Sequence, residues 1–361
     1  MQEILKKLIS FKTTEDRPEE IEKGFEYIAS LFDREKFQVQ TFEKNGKYSL
    51  LVSFKGKDAL RPKVLLNGHF DVVPAEDESQ YQLRVEHGKA FGRGVHDMKG
   101  MVAVLIMVMQ ELGEWSTLPD VVLLFNGDEE IGGENGAGFM VKEMGLRPSF
   151  VLCGDGPYEN ILDITVKEKG GLWLELIAKG KAAHGAYLWE GENAVEKVIG
   201  AVRKIQQYVG EVVPNAWKST ANFGVIETSN KTPNKVPSEA RAVLDIRFTE
   251  ELARTPDEVL EKINLLVPEV EIRVLTKMPL LFVEEQNPFL QQFKKTAEEV
   301  VAREVPLVFS HGATDARYFG EIGIPAVVFG SKGGNMHAAR EWVDLESLEK
   351  NREILLKFLD T

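Results

Sequence analysis

The sequence predicts a two-part α/β protein, and three features of the chain support that prediction. Near both ends, short apolar runs typical of buried strands alternate with helical patterns, as in a sheet covered by helices on both faces. The middle of the chain follows the order βαββαβ, which indicates a compact ferredoxin-like unit of about a hundred residues. The length of 361 residues also suits two domains better than a single core.

The first α/β segment follows an amphipathic helix at the N-terminus. Its predicted strands are Tyr48–Val52, Val64–Leu66, Val121–Phe125 and Phe150–Leu152, and its predicted buried helix is Lys99–Leu112. Chemically reactive side chains follow several of these strands. Since α/β sheets place their sites on loops beyond the carboxyl ends of strands, we expect a site at this edge.

The pattern changes after about residue 170. The middle segment is predicted to contain strands at Leu172–Ala178, Ala221–Ile226, Ala240–Phe248 and Val270–Leu275, and helices at Ala194–Val209 and from Thr255 to about Leu266. The second helix has a capping threonine followed by proline at its first position. The α/β pattern then resumes with a helix at Pro288–Ala302, a strand at Ala326–Phe329 and a helix at Leu345–Leu359. We therefore predict a catalytic domain in two segments, 1–169 and 278–361, and an inserted domain over 170–277.

Composition limits the class of partner. The net charge of −13 argues against a nucleic-acid partner, because phosphate binding depends largely on Lys and Arg. The longest apolar stretch, Met101–Met109, is far shorter than the roughly 20 residues that cross a bilayer. A single cysteine, Cys153, excludes an internal disulfide and fits a reducing compartment. We expect a cytoplasmic protein that does not bind membranes.

Five short segments carry the residue types that bind divalent metals. They are Asn67-Gly68-His69-Phe70-Asp71, Gly92–Gly100 with Asp97, Asn126-Gly127-Asp128-Glu129-Glu130, Cys153-Gly154-Asp155-Gly156 and Gly333-Gly334-Asn335-Met336-His337. Five candidate ligands and one further carboxylate come from His69, Asp97, the adjacent pair Glu129 and Glu130, Asp155 and His337. Two divalent ions need about that many nitrogen and oxygen donors, with room left for water.

The spacing within the first two segments suggests particular roles. His69 and Asp71 are two residues apart, so on extended backbone both point to one face and Asp71 can orient the imidazole. Asp97 lies in a glycine-rich stretch before an apolar helix, and its two oxygens could bridge two cations. Taken singly, each segment has a simpler interpretation, a surface histidine beside a capping aspartate or a plain helix N-cap.

Glu129 and Glu130 follow the strand Val121–Phe125, and adjacent residues there project differently. The pair could therefore divide the roles of metal ligand and general base. The alternative is a solvated acidic turn. Asp155 lies in a Gly-Asp-Gly turn, so it could also be an ordinary turn residue.

Taken together, these segments resemble the M20 family of metallopeptidases and amidohydrolases, and the resemblance covers essentially the whole chain. Members include acetylornithine deacetylase, succinyl-diaminopimelate desuccinylase, aminoacylase, glutamate carboxypeptidases and dipeptidases. The resemblance implies a zinc-aminopeptidase-like catalytic domain, with a mixed sheet between helices, and an inserted lid that usually dimerises. It implies that His69 and Asp155 bind one metal, that Glu130 and His337 bind the other, and that Asp97 bridges both. Asp71 would orient His69, Glu129 would be the general base, and the Asp97–Met98 peptide would be cis.

The resemblance extends to the inserted segment. His184 is similar to a family histidine that reaches the partner subunit's site and stabilises the oxyanion. Asn234 and Arg247 resemble residues that bind the substrate carboxylate, and Gly333 and Gly334 resemble a backbone pocket near the same group. A homodimer formed through the lid is therefore expected.

The resulting hypothesis is a two-metal enzyme that cleaves the amide bond of an N-acyl-amino acid or a similar small, carboxylate-bearing substrate. A metal-bridging hydroxide would attack the amide, with Glu129 as base. Zn²⁺ is the expected metal, with Co²⁺ or Mn²⁺ as alternatives. A dipeptidase or carboxypeptidase is the main alternative. Deacylases and carboxypeptidases of the family generally carry Glu where this chain has Asp155, whereas Asp is more usual in the dipeptidase and aminopeptidase branch. A metal-free binding module is a more remote alternative, since no expected ligand is missing.

Overall fold

A computed structural model describes residues 1–156 and 163–360, which form two compact units. The first unit comprises Met1–Lys167, Phe282–Phe309 and Thr314–Thr361, and the second comprises Glu168–Leu281 with Ser310–Ala313. Among the described residues, no helix combines the length and apolar character needed to cross a membrane.

Helices and strands are numbered in chain order. The helices of the first unit are α1 Gln2–Ser10, α2 Pro18–Ser30, α3 Gly100–Leu112, α4 Ala137–Lys142, α7 Pro288–Val301, α8 Ala316–Glu321 and α9 Leu345–Leu359. Its main sheet contains β1 Phe37–Lys44, β2 Lys47–Phe54, β3 Val64–His69, β6 Val121–Asn126, β7 Phe150–Cys153, β8 Ile164–Glu168, β13 Leu281–Phe282, β14 Leu307–Ser310 and β15 Ala326–Val328.

The main sheet is mixed, with the order β1-β2-β6-β3-β7-β15-β8-β13 and β14 paired to β8. The pairs β3–β6, β3–β7 and β7–β15 are parallel, whereas β1–β2, β2–β6 and β8–β15 are antiparallel. β3, β6 and β7 are buried along their full length. This confirms the predicted α/β class, in which central strands are nearly continuous apolar runs.

Helix α3 begins directly after the glycine-rich segment that carries Asp97. It is apolar around most of its circumference and almost entirely buried, as expected for a helix enclosed by other elements. Each fully buried Val, Leu, Ile or Met side chain contributes about 1.5–3 kcal/mol relative to exposure. The core therefore fixes the start of this helix, and with it the loop before α3.

A second, smaller sheet joins two distant parts of the first unit. Its strands are β4 Arg84–Glu86, β5 Lys89–Phe91, β16 Gly333–Gly334 and β17 Trp342–Asp344, in the order β16-β17-β5-β4. β17 pairs with β5 through Trp342 and Phe91, so the β16–β17 hairpin adjoins the segment that follows β5. The hairpin carries His337 and the segment carries Asp97.

The second unit contains β9 Gly170–Lys179, α5 Ala194–Val209, β10 Thr220–Thr228, β11 Glu239–Phe248, α6 Pro256–Leu266 and β12 Glu271–Met278. Its strands pair antiparallel in the order β10-β11-β9-β12. Side-chain caps from Asn193 and Thr255 begin the two helices. Its functions as a lid and a dimerisation domain remain predictions.

Candidate active site

His69 is the last residue of β3, and only 1% of its surface is exposed. Its Nδ1 lies 3.0 Å from the backbone oxygen of Asp71 and 3.4 Å from the Asp71 carboxylate. Its Nε2 lies 2.9 Å from Oδ1 of Asp97 and 3.5 Å from Oδ1 of Asp155. Asp71 therefore holds one edge of the ring, and the opposite nitrogen faces two carboxylates.

Asp97 joins this histidine to a second one. Its Oδ2 lies 3.0 Å from Nε2 of His337, which is also 3.3 Å from Oε2 of Glu130. Each oxygen of Asp97 thus faces a different imidazole. The peptide bond between Asp97 and Met98 is cis, as the resemblance implies.

The side chains form two groups that could each hold a metal ion. His69, Glu129 and Asp155 make one group and Asp97, Glu130 and His337 the other, with ligand atoms in each group within 4.8 Å of one another. The structure therefore brings together every candidate ligand that the sequence indicated. It also brings Glu129 as close to His69 as a ligand would be.

Asp71 has a second set of contacts. Its Oδ1 accepts a hydrogen bond from the backbone N–H of Glu129 at 3.2 Å, and its Oδ2 accepts one from that of Glu130 at 3.0 Å. The Oε1 of Glu130 in turn accepts a bond from the backbone N–H of Val73 at 3.3 Å. Asp71 thus fixes the turn that carries both glutamates as well as the ring of His69.

The electrostatics of the site favour positive charge. Burial lowers the pKa of His69, but Asp155 and the other nearby carboxylates outweigh burial and leave that pKa well above its usual value. Hydrogen bonds to Asp97 and Glu130 raise the pKa of His337 to about 10. The carboxylates therefore stabilise a cation beside each histidine, where a divalent ion would replace the imidazolium proton.

The same surplus of negative charge also affects the pKa of Glu129. Burial and the charge of Asp155 raise the pKa of Glu129 well above its usual value. Within residues 1–156 and 163–360, neither Asp97 nor Glu130 forms an ion pair with a lysine or arginine; their ion-pair partners are histidines. Imidazole nitrogens and carboxylate oxygens in this arrangement suit Zn²⁺, Co²⁺ or Mn²⁺, so the residues present fit a pair of divalent cations.

Two residues outside the five metal-type segments, Arg317 and Tyr318, hold the glutamate turn from its other end. The guanidinium of Arg317 donates to the backbone oxygen of Gly132 at 2.7 Å, and the Tyr318 hydroxyl donates to the same oxygen at 2.5 Å. Asp128 accepts the backbone N–H of Gly136 at 3.0 Å. A pattern of adjacent charged residues does not reveal the contacts of Arg317 and Tyr318, since these residues lie 185 and 186 positions from Gly132.

The second unit contains the other predicted residues. His184 forms a β-bridge with Lys235, and the backbone N–H of Gly185 donates to the backbone oxygen of Asn234 at 2.7 Å. His184 and Asn234 therefore lie on two neighbouring loop segments joined by this bridge. Arg247 lies on β11, where its guanidinium is paired with Asp245 at 2.8 Å. Their functions in substrate binding remain predictions.

Gly333 and Gly334 form β16, and the ring of His96 packs against Gly333. A Cβ on Gly333 would lie 2.3 Å from the His96 ring, so this position has no room for a side chain. His96 is buried, and its Nε2–H donates to the backbone oxygen of Ser331 at 3.2 Å. Packing against His96 is therefore sufficient to explain the glycine at position 333, independent of any contact with substrate.

A mixed α/β sheet beside two metal-type groups joined by one aspartate is the arrangement of a metal-dependent hydrolase. The model of peptidase family M20/M25/M40 matches residues 65–361, and the chain belongs to that family. It is accordingly a metal-dependent hydrolase that acts on amide or peptide bonds. This confirms the family that the sequence motifs indicated.

The relatives include both a deacylase and peptidases. The chain is 25% identical over 378 residues to succinyl-diaminopimelate desuccinylase of Rickettsia akari (strain Hartford), covering 98% of each chain. Aminopeptidase PepT from Bacillus cereus has a similar fold, with a TM-score of 0.75, 19% identity and coverage of 100% of this chain and 98% of that one. The YXEP protein of Bacillus subtilis, described as a dinuclear metal-binding peptidase, has a TM-score of 0.64 at 17% identity and covers 99% and 98% of the two chains.

Proposed function

We propose that this protein is a two-zinc hydrolase that cleaves the amide bond of an N-acyl-amino acid or a similar small carboxylate-bearing substrate. The observation that carries the proposal is the position of Asp97, whose two oxygens lie 2.9 Å from His69 and 3.0 Å from His337. A carboxylate that faces two imidazoles could offer one oxygen to each ion of a two-metal site.

The residues divide into two ligand sets. His69 and Asp155 would hold one ion, Glu130 and His337 the other, and Asp97 would contact both. When bound, such ions lower the pKa of water toward neutrality and polarise a carbonyl group. Asp71 keeps the Nε2 of His69 directed at the ions by contacting the opposite edge of the ring.

Glu129 is the proposed general base. Its backbone is held by Asp71, and its side chain accepts no hydrogen bond from another residue in the described parts of the chain. A carboxylate that is held in position, and whose oxygens accept no other hydrogen bond, can accept a proton from water and later return it to the leaving amine. Glu130, by contrast, accepts the backbone N–H of Val73 and contacts His337, as suits a ligand.

Acylated amino acids are the favoured substrates because the relative that matches along 98% of both chains is named a desuccinylase. Asn234, Arg247, Gly333 and Gly334 are proposed to bind the substrate carboxylate. The second candidate is a dipeptidase or carboxypeptidase, and Asp155 favours the dipeptidase, since aspartate at this position is more usual in the dipeptidase and aminopeptidase branch. We also propose a cytoplasmic location, which suits the single, buried Cys153.

A substrate panel tests whether the enzyme prefers acyl-amino acids or peptides. N-succinyl- and N-acetyl-amino acids are compared with dipeptides and tripeptides at equal concentration, using enzyme with a measured metal content. We expect the highest kcat/KM for an acyl-amino acid. A consistent preference for dipeptides would replace the first candidate with the second, and hydrolysis of neither class would reject both.

His184 is proposed to act across a homodimer formed through the second unit. That unit presents exposed apolar side chains on its edge strand β10, Val225 at 40% and Ile226 at 44% exposure, which a partner subunit could cover. The imidazole Nδ1 of His184 accepts the backbone N–H of Ala186, which leaves Nε2 as a donor toward an oxyanion.

His184→Ala should lower turnover by about 10²–10³-fold, the usual cost of losing one oxyanion donor. Metal content and dimerisation should be unchanged, as measured by elemental analysis and light scattering. Mixed dimers of His184→Ala and Glu129→Gln subunits should regain partial activity, because one of their sites receives an intact base and an intact histidine. His87→Ala, in the exposed β4–β5 turn, is the control. Verified mixed dimers without recovery would show that His184 serves its own subunit.

A further inference from the structure

Glu341 is a buried carboxylate that accepts four hydrogen bonds from the segment that carries Asp97. Only 2% of Glu341 is exposed. Its Oε1 accepts the backbone N–H groups of His96 at 2.8 Å and Asp97 at 3.1 Å. Its Oε2 accepts the backbone N–H of Gly94 at 2.8 Å and the Nη1–H of Arg93 at 2.8 Å. This single side chain therefore fixes the backbone on which the bridging aspartate stands.

Arg93 extends the same contact to His337. Its guanidinium is as buried as Glu341, and its Nη2 donates to the backbone oxygen of His337 at 3.1 Å and more weakly to that of Pro74 at 3.4 Å. One planar fork thus contacts the Glu341 carboxylate and the histidine backbone together, a geometry that the single ammonium of lysine does not reproduce.

The hairpin that carries His337 needs such an anchor. His337 has a φ of +62° and Asn335 a φ of +57°, in the left-handed region that non-glycine residues seldom adopt. The His337 side chain is also 45% exposed, so packing alone does not hold it. By contrast, His69 is fixed by β3 and Asp71, and among the described residues it forms no hydrogen bond or ion pair with Arg93 or Glu341.

We propose that the Arg93–Glu341 ion pair is a positioning pair that sets the separation of Asp97 and His337, and thereby the affinity of the cation held by Asp97, Glu130 and His337. The inference rests on the proposed two-cation function. Glu341 and Arg93 touch neither substrate nor metal; they act through the backbone of two ligands. The cation beside His69 and Asp155 would share Asp97 but would depend on the pair less, because its own histidine is held by β3 and Asp71.

Cation titration of the metal-free protein tests the proposed positioning role of the Arg93–Glu341 ion pair. Co²⁺ is added and its visible absorption is recorded for wild-type protein and for Glu341→Gln, Glu341→Asp and Arg93→Lys. An amide at position 341 cannot accept bonds at both of its polar atoms, so we expect one of the two cations to bind about 10–100-fold more weakly, as for other residues that orient metal ligands. The Co²⁺ absorption band lost in these variants should be the band that Glu130→Gln also loses. Asp155→Asn should lose the band of the other cation.

Two conservative variants and one core variant separate positioning from general instability. Glu341→Asp and Arg93→Lys retain both charges and should fold even if Glu341→Gln does not, while still weakening the same cation. Ile28→Ala, which removes a fully buried side chain from α2, should lower Tm and leave both affinities unchanged.

Equal weakening of both cations, or wild-type affinity in every charge-retaining variant, would overturn the inference while leaving the proposed function in place. Wild-type protein that binds fewer than two cations would overturn both.

Discussion

Removal of the bound cations is expected to abolish hydrolysis completely. Two imidazoles and a set of carboxylates occupy the reacting region, and none of these groups lowers the pKa of water enough to supply hydroxide at neutral pH. Dialysis against a chelator should therefore give an inactive protein, and addition of Zn²⁺, Co²⁺ or Mn²⁺ should restore turnover. The measurement pairs elemental analysis with the rate of amide hydrolysis on the same sample.

A control excludes unfolding as the cause of that loss. The metal-free protein should retain its circular dichroism spectrum, because the main sheet and α3 are held by a buried apolar core rather than by the ligands. Tm should fall modestly, since cations that bind only the folded state stabilise it. Full activity in a sample verified as metal-free would reject a metal-dependent mechanism.

The second large effect is expected from Glu129→Gln. The amide keeps the size of the side chain but cannot accept a proton, so turnover should fall by about 10²–10⁴-fold, the usual contribution of a general base. Both metals should remain bound, because the proposed ligand sets do not include Glu129. Steady-state kinetics and metal content, measured on one preparation, test both statements.

Glu130→Gln is the matched comparison. The adjacent residue sits on the same turn, with the same backbone bond to Asp71, and differs in its contact with His337. Its substitution should lower the occupancy of one cation rather than leave a fully loaded, slow enzyme. Metal loss in Glu129→Gln together with full occupancy in Glu130→Gln would mean that the two glutamates have exchanged functions. That outcome is chemically reasonable, since Glu129 lies as close to His69 and Asp155 as a ligand would.

Local sequence carried most of the information about the ligands. His69, Asp97 and Asp155 each follow a strongly apolar strand or precede an apolar helix, so their place at the edge of a sheet could be read from neighbours within a few residues. The resemblance then related distant segments, including His337, to one site. The α/β class followed from the same apolar runs, because a strand that is buried on both faces consists almost entirely of apolar residues.

What the sequence determined by itself was the identity of the candidate ligands, the α/β class and the family, since these depend on residue type and short-range periodicity. Only the tertiary structure decided how Asp97 and His337 meet. Their approach depends on β16 and β17, strands of two and three residues that carry too little periodicity to be predicted. It also depends on Glu341, which reaches across almost 250 positions to backbone N–H groups of residues 94–97. A backbone N–H group is present whatever the side chain of its residue. The residue types of the donors therefore do not reveal these hydrogen bonds, and only the folded chain shows them.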